Sequence, residues 1–79
     1  MTHAQVLARA LNAMAKLPQF SYQKARAAAR QDPNVDWPRT KAENEGFNAE
    51  VDGCESFVMR DGTRCVWVSG SFSYAARGA

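Results

Sequence analysis

Chemistry-bearing residues are scarce in this sequence. It contains one histidine, His3, and two cysteines, Cys54 and Cys65, among 79 residues. Nucleophilic catalysis needs a base beside the nucleophile, whereas His3 falls on the first turn of a predicted helix, where packing or solvent contact is the commoner role. The cysteines form no C-x2-C pair, and the five glycines form no phosphate-binding loop. We therefore predict that the protein is not an enzyme and holds neither a metal nor another cofactor.

Signals for export and membrane insertion are also missing. No apolar run approaches the roughly 18 residues that a membrane span needs. The first 17 residues mix Arg9, Asn12 and Lys16 with apolar residues, a pattern that does not match a signal peptide. We therefore expect a cytoplasmic protein without membrane contact. In that compartment the two cysteines are expected to be free thiols rather than a disulfide.

Acidic residues are absent from the first 31 positions, although the net charge of the whole chain is only +2. Residues 1–31 carry a charge of +5, residues 32–55 carry −5, and residues 56–79 carry +2. Such segregation indicates a charged partner. The simpler alternative is that the two charged regions are solvated faces that attract each other within the fold.

Most of the β-branched and aromatic residues lie between positions 46 and 74. Two dipeptides in this stretch, Asp52-Gly53 and Asp61-Gly62, are typical of hairpin turns, because Gly tolerates positive φ and Asp tolerates the turn geometry. The stretch therefore predicts an antiparallel β-meander. Its predicted strands are 47–52, 54–60 and 63–69, with a bend at Gly70, a short fourth strand over 71–75 and a frayed end over 75–79.

The first strand of the meander has an alternative. A short helix over 41–45 could instead continue to Asp52, with Gly53 ending it. We favour a strand over 47–52 because apolar and polar residues alternate along it.

The hairpin at Asp61-Gly62 has two alternative registers. A two-residue turn pairs Arg60 with Thr63, whereas a three-residue loop with a bulge at Gly62 pairs Met59 with Thr63. The second register gathers the large apolar side chains on one face, which favours it. In neither register does Cys54 face Cys65.

Two helices are predicted before the meander. The first spans 3–17, where apolar residues recur at steps of three and four, and Thr2 with Gln5 has capping-box spacing. Pro18 is expected to end it. The second, rich in alanine, begins after Ser21 and runs to about position 31.

The segment between the second helix and the meander is predicted to be mostly loop. Asp32-Pro33 stops the second helix. Trp37, within the loop 34–38, is expected to cover the core with its side chain. Thr40 has the position of an N-cap for the short helix over 41–45, and Gly46 is expected to end that helix in left-handed geometry.

These elements predict one α+β domain over residues 1–79, with two N-terminal helices packed on a three- to four-stranded antiparallel β-meander. A chain of this length has room for one core. The predicted core residues are Leu7, Leu11, Met14, Leu17, Phe20, Tyr22, Phe47, Val51, Phe57, Trp67 and Val68.

Two surfaces are candidates for binding a partner. The first is an acidic patch beside an apolar sheet, and Trp37 and Val58 are its predicted apolar contacts. Its predicted members are Asp36, Glu43, Glu45, Glu50, Asp52 and Glu55. The second is the basic helix pair, which would bind phosphates in a salt-sensitive way and would make the protein a small regulator that binds DNA or RNA. Its predicted members are Arg9, Lys16, Lys24, Arg26 and Arg30.

In overall character the chain resembles the small phage-encoded anti-CRISPR proteins. The shared features are the small α+β domain, the lack of a reaction motif, the segregated charge, and an Ala- and Arg-rich composition that suits a GC-rich bacterial or phage genome. That group shares a function rather than a sequence motif, so the resemblance assigns no residue. Many of its members are acidic DNA mimics, whereas this chain has a net charge of +2. A local acidic patch is therefore expected rather than a mimic made of the whole protein.

The resemblance implies a function and a partner. It implies a non-enzymatic inhibitor, in the cytoplasm of a bacterial host, that binds a protein subunit of a type I CRISPR surveillance complex such as Cascade and blocks target DNA. The chain is expected to act as a monomer or a homodimer. Contact with nucleic acid is the alternative expectation.

Overall fold

The computed structural model describes residues 1–75, so the predicted frayed end lies outside the described residues from position 76 onward. Four helices precede three strands, and the strands form one antiparallel sheet in the order β1-β2-β3. The elements are α1 (His3–Ala15), α2 (Tyr22–Arg30), α3 (Trp37–Glu43), α4 (Ala49–Asp52), β1 (Cys54–Val58), β2 (Arg64–Val68) and β3 (Ser71–Ala75). The prediction of an α+β fold, with N-terminal helices before a β-meander, is confirmed.

Helix α1 begins where the capping box predicts. The Gln5 backbone N–H donates to the Thr2 hydroxyl at 3.2 Å, and the Thr2 N–H donates to the Gln5 side chain at 2.7 Å. The helix ends at Ala15, two residues before its predicted end. Leu17 therefore lies in the turn that follows, where it is 58% exposed, and its prediction as a core residue is wrong.

Helix α2 packs closely because its buried positions are small. Ala25 and Ala29 are fully buried, and Tyr22 is the one large side chain that the helix buries. Ser21 has the extended backbone of an N-cap, but its side chain makes no capping hydrogen bond. Alanine has the highest helix propensity and allows close approach, so this sequence favours both the helix and its contact with the sheet.

Helix α3 starts four residues before the predicted helix. Its N-cap is Asp36, whose carboxylate accepts a hydrogen bond from the Arg39 backbone N–H at 3.2 Å, and Pro38 occupies the first turn, where it is tolerated. Thr40 is thus inside the helix and buried rather than capping it. Trp37 is the first residue of this helix rather than part of a loop, and it packs half-buried against the core.

The predicted strand over 47–52 is wrong, because α4 occupies its last four residues. Asn48 caps this helical turn by accepting from the Glu50 N–H at 3.1 Å, and the Asp52 carboxylate accepts from the Asn48 N–H at 3.0 Å. Gly53 ends α4 at φ +86°, which agrees with the alternative that placed a helix end there. Val51, predicted for the core, is 78% exposed.

The β1–β2 hairpin has the three-residue loop. The Met59 N–H donates to the Thr63 carbonyl at 2.8 Å, and Gly62 has φ +91°. Phe57 lies opposite Cys65 in the resulting register. Ser69 and Gly70, both at positive φ, form the turn to β3, the strand predicted as the fourth.

The inner face of the sheet carries most of its buried side chains, while Val58 on the opposite face is buried under α3. Helices α1 and α2 cover this inner face, where the Tyr22 ring meets the Trp67 ring edge-on at 4.8 Å between centroids. The buried inner-face residues are Glu55, Phe57, Cys65, Trp67 and Phe72. Val68 points to the opposite face and is 50% exposed, so its prediction as a core residue is wrong. Among the other predicted core residues Leu7, Leu11, Tyr22, Phe57 and Trp67 are buried, while Met14, Phe20 and Phe47 are half-buried against them.

Side chains from two helices satisfy backbone groups at both sheet edges. On β3, the Asn12 amide accepts from the Phe72 N–H and donates to the Phe72 carbonyl, each at 2.8 Å. On β1, the Thr40 hydroxyl accepts from the Val58 N–H at 2.8 Å, and Asn44 donates to the Ser56 carbonyl at 2.6 Å.

Candidate functional site: an acidic segment and a cationic groove

Glu55 does not belong to an exposed acidic patch. It projects from the inner face of β1 and is 4% exposed. The Arg26 Nε lies 3.2 Å from its carboxylate, and the Tyr22 hydroxyl donates a hydrogen bond to the same group. A buried carboxylate needs such partners to offset lost hydration. The assignment of Glu55 to the partner-binding patch is therefore wrong.

The Tyr22 hydroxyl and its surroundings are shielded from water. Burial raises the pKa of the Tyr22 hydroxyl well above its usual value, and the hydrogen bond to Glu55 raises the pKa further. The Trp67 Nε1 is also buried and has no hydrogen-bond partner among residues 1–75. The network of Arg26, Glu55 and Tyr22 thus joins α2 to the sheet.

Two other predicted members of the acidic patch have partners within the fold. Glu43 forms an ion pair with Arg64 at 3.1 Å, and Asp36 caps α3. The remaining three residues are exposed, and none forms an ion pair with the residues that the structure describes, although the Asp52 carboxylate accepts from the Asn48 N–H. We call these three residues, Glu45, Glu50 and Asp52, the acidic segment.

The two predicted apolar contacts differ in accessibility. Val58 is fully buried, because α3 lies over it and Thr40 bonds its backbone, so Val58 is not available to a partner. Trp37 is half-buried and remains accessible, with the Arg30 guanidinium 5.6 Å from the centre of its ring. Such a distance is typical of a cation–π contact.

The five predicted nucleic-acid-binding cations do not form one surface. Arg26 and Arg30 lie on the face of α2 that meets Trp37. Lys24 lies on a different face of α2, beside a separate depression. Arg9 on α1 and Lys16 just after its end are exposed, and the Arg9 guanidinium contacts the Met1 sulfur at 3.7 Å.

A groove runs along α2. The sequence pattern predicts only part of this groove. Its volume is about 350 Å³, and we call it the α2 groove. Its lining residues are Gln23, Arg26, Ala27, Arg30 and Trp37. An adjoining depression of about 530 Å³ adds Lys41, Phe47 and Glu45. The spacing of Arg26 and Arg30 indicates one helical face, but no sequence signal brings Trp37, Lys41 and Phe47 to it.

The histidine and the two cysteines considered for catalysis differ in their exposure and in their partners. His3 Nε2 lies 3.5 Å from the half-buried Asp32 carboxylate, and His3 Nδ1 is buried without a hydrogen-bond partner among residues 1–75. Cys54 is an exposed free thiol. Cys65 is a buried free thiol, and burial raises its pKa to about 12, which makes it a poor nucleophile at neutral pH. Within residues 1–75, no three His, Cys, Asp or Glu side chains come together as metal ligands would.

None of the helices in residues 1–75 is both long enough and apolar enough to cross a membrane. Comparisons with protein-family models, with curated protein sequences and with solved structures found no match to this chain.

Proposed function

We propose that the protein is a non-enzymatic inhibitor that binds a protein subunit of a nucleoprotein complex and blocks its target DNA. The complex we propose is a type I CRISPR surveillance complex in a bacterial host. The observation that carries this proposal is the acidic segment, because Glu45, Glu50 and Asp52 hold three exposed carboxylates within eight residues. A subunit that binds DNA lines its channel with Lys and Arg, and these carboxylates can take the place of phosphates there.

The fold holds the acidic segment in a defined position. Asn48 and Gly53 cap the two ends of α4, and Phe47 packs half-buried against the core just before it. Val51, 78% exposed, provides an apolar contact between Glu50 and Asp52. Complementary charge speeds association and orients the partners, while a buried apolar contact slows dissociation.

The test neutralises the acidic segment without disturbing the fold. The variant is Glu45→Gln/Glu50→Gln/Asp52→Asn, and Asn at position 52 keeps an oxygen that can accept from Asn48. The matched control, Ala10→Lys/Ala13→Lys/Ser73→Lys, makes the same change in net charge at exposed positions elsewhere. Circular dichroism and thermal unfolding of both variants should match the wild type.

The measurement is target-DNA binding by the purified surveillance complex in the presence of each variant. Exposed charge contacts contribute up to about 1 kcal/mol each. Neutralising all three should therefore weaken inhibition by about 10- to 100-fold, with the largest effect at low salt. The acidic-segment mechanism would be overturned by two results together. The folded triple variant would inhibit as well as the wild type, and the Arg30→Glu variant would no longer inhibit.

The alternative function is a small regulator that binds DNA or RNA through the basic helices. It has less support in its original form, because its five cations lie on several faces of α1 and α2. A gel shift on nonspecific duplex DNA tests it. Micromolar binding with a steep salt dependence would favour the regulator, and no binding at low salt would exclude it.

A further inference from the structure

We propose that the α2 groove binds single-stranded nucleic acid, with phosphates on Arg26 and Arg30 and an unstacked base against Trp37. This inference goes beyond the proposed function, because the isolated chain can be tested for it without any surveillance complex. Its failure would leave the acidic-segment proposal untouched.

The charge of the α2 groove is of one sign. Arg26 and Arg30 line it, and none of its lining residues is acidic. The ion pair with Glu55 uses the Arg26 Nε, and 41% of the Arg26 side chain remains exposed. Arg30 is exposed and forms no ion pair within the described part of the chain. Guanidinium groups carry several N–H donors in a fixed plane, which suits phosphate oxygens.

The aromatic residue lies in the same recess as these cations. Trp37 packs against the core, and the Arg30 guanidinium lies over its ring, so a base that stacks on the indole takes the place of Arg30, which then turns to a phosphate. Proteins that bind single strands without sequence preference combine a cationic groove with aromatic rings on which bases stack. The α2 groove has both components: the cations lie on one face of α2, and the aromatic ring belongs to the first residue of α3.

The shape of the groove favours a single strand over a duplex. A base in a duplex is stacked and paired, so it cannot enter a recess of about 350 Å³ beside a helix. Arg26 and Arg30 are one helical turn apart, about 5–6 Å between their Cβ atoms. Lys41 extends the cationic track into the adjoining depression.

Acidic residues bound the track at both ends. Asp32 and Asp36 line the neighbouring depression beyond Arg30, while Glu45 and Glu50 line those beyond Arg26. The site therefore holds only about three phosphates. We expect a dissociation constant between about 1 and 100 µM at low salt, in the range of nonspecific nucleic-acid binding.

The experiment measures the fluorescence anisotropy of a labelled oligothymidylate of 15 nucleotides as the full-length protein is added. A duplex of the same length and a labelled polyglutamate peptide serve as the other two ligands. Binding through three cations predicts that log affinity falls with log salt at a slope of about −2, so a tenfold rise in salt should weaken binding about 100-fold. In a Trp67→Phe variant the single strand should quench the fluorescence of Trp37 directly.

Two substitutions on α2 locate the site. Ala27→Glu places a carboxylate within the α2 groove, whereas Ala28→Glu places the same charge at an exposed position that does not line it. We expect Ala27→Glu to weaken single-strand binding about tenfold and Ala28→Glu less than about twofold. Arg30→Gln should reduce the magnitude of the salt slope by about 0.7, and Lys24→Gln should leave it unchanged.

Each contrary result overturns the proposal. These results are equal losses in Ala27→Glu and Ala28→Glu, duplex binding as tight as single-strand binding, and no oligothymidylate binding at low salt. Binding of polyglutamate without binding of oligothymidylate would identify an acidic protein segment as the occupant instead.

Discussion

At the scale of single residues, Glu55 shows how position decides the role of a charge. Its sequence neighbourhood is that of Glu50 and Asp52, yet it is buried while they are exposed. The difference arises because Glu55 falls on the inner face of β1, where Tyr22 and Arg26 reach it from α2. Those partners are about thirty positions away in the chain, so local sequence patterns could not reveal the burial.

The raised pKa of Tyr22 predicts how stability changes in alkali. Above pH 10 the unfolded chain loses the Tyr22 proton, whereas the folded chain keeps it. The native state then binds more protons than the unfolded state, so stability falls as pH rises. Tyr22 contributes about 1.4 kcal/mol per pH unit to this slope, beside the contribution of Cys65, whose pKa burial raises to about 12. Urea unfolding between pH 9 and pH 11, at about half-unit steps, measures this slope.

Two tyrosine variants separate this effect from general alkaline unfolding. Tyr22→Phe should lower stability at neutral pH, because the Glu55 carboxylate loses a hydrogen bond, but it should make the slope above pH 10 less steep by removing the Tyr22 contribution and leaving that of Cys65. Tyr74→Phe changes a tyrosine that is 38% exposed and should leave the slope as in the wild type. Equal slopes in wild type and Tyr22→Phe would contradict the burial of the hydroxyl as the cause.

At the scale of elements, the helices stabilise the sheet at its edges as well as on its inner face. Asn12 on α1 bonds both backbone groups of Phe72 on β3, and Thr40 on α3 and Asn44 just after it bond β1. Sheet edges with free backbone groups invite pairing with other chains. These side chains therefore contribute to stability and also protect against association.

Removing the cap on β3 should be costly. Asn12→Leu deletes two hydrogen bonds and leaves the Phe72 backbone groups without their partners, so we expect a loss of about 2–3 kcal/mol in the free energy of unfolding. Ala13→Leu adds an apolar side chain at an exposed position of the same helix and should change stability by less than about 0.5 kcal/mol. Urea unfolding compares the two, and similar losses in both would show that the cap is unimportant.

The elements differ in how far the sequence could predict them. Helix α1 follows from apolar periodicity and α2 from its high alanine content, while the register of the β1–β2 hairpin follows from the need to bury Phe57 and Cys65 together. The stretch over 47–52 was predicted wrongly because six alternating residues are too few to exclude a helical turn. There the capping bonds of Asn48 and Asp52 and the positive φ of Gly53 decide the outcome.

The binding surfaces were less predictable than the elements. The acidic segment follows from the local density of carboxylates in the sequence, but the α2 groove does not. It forms because α3 begins at Trp37, which depends on the Asp36 cap, and because that start places the indole against Arg30. Its residues come from separate helices, so spacing along the chain carries no signal for it.

At the scale of the whole molecule, opposite charges that are segregated in sequence meet in the fold. Arg26 from the basic region pairs with Glu55, and Glu43 from the acidic region pairs with Arg64. Some charges of each region are thus neutralised by ion pairs within the fold. It leaves two smaller surfaces, the acidic segment and the α2 groove, which share the depressions beside Phe47. A nucleoprotein complex presents both cations and phosphates, which such a surface of mixed charge can match.

The outer face of the sheet bears on the choice between monomer and homodimer. Val68 and Cys54 are exposed there, and Val66 is half-buried. Three strands of five residues span about 240 Å² of flat surface, from the strand spacing and the rise per residue, and α3 covers the part of it at Val58. A stable interface needs about 800 Å² from each partner. The face is therefore too small to hold a dimer by itself, and the capped edges do not extend it.

We therefore expect the reduced protein to sediment as a monomer at concentrations up to about 0.1 mM. Sedimentation equilibrium measures the mass directly, and Val68→Lys, which places a charge at the exposed end of β2 on this outer face, serves as the control. A monomer in both cases agrees with the small area of the outer face. A concentration-dependent dimer that Val68→Lys dissociates would contradict the area argument, because contacts around the sheet would then have to supply the missing interface.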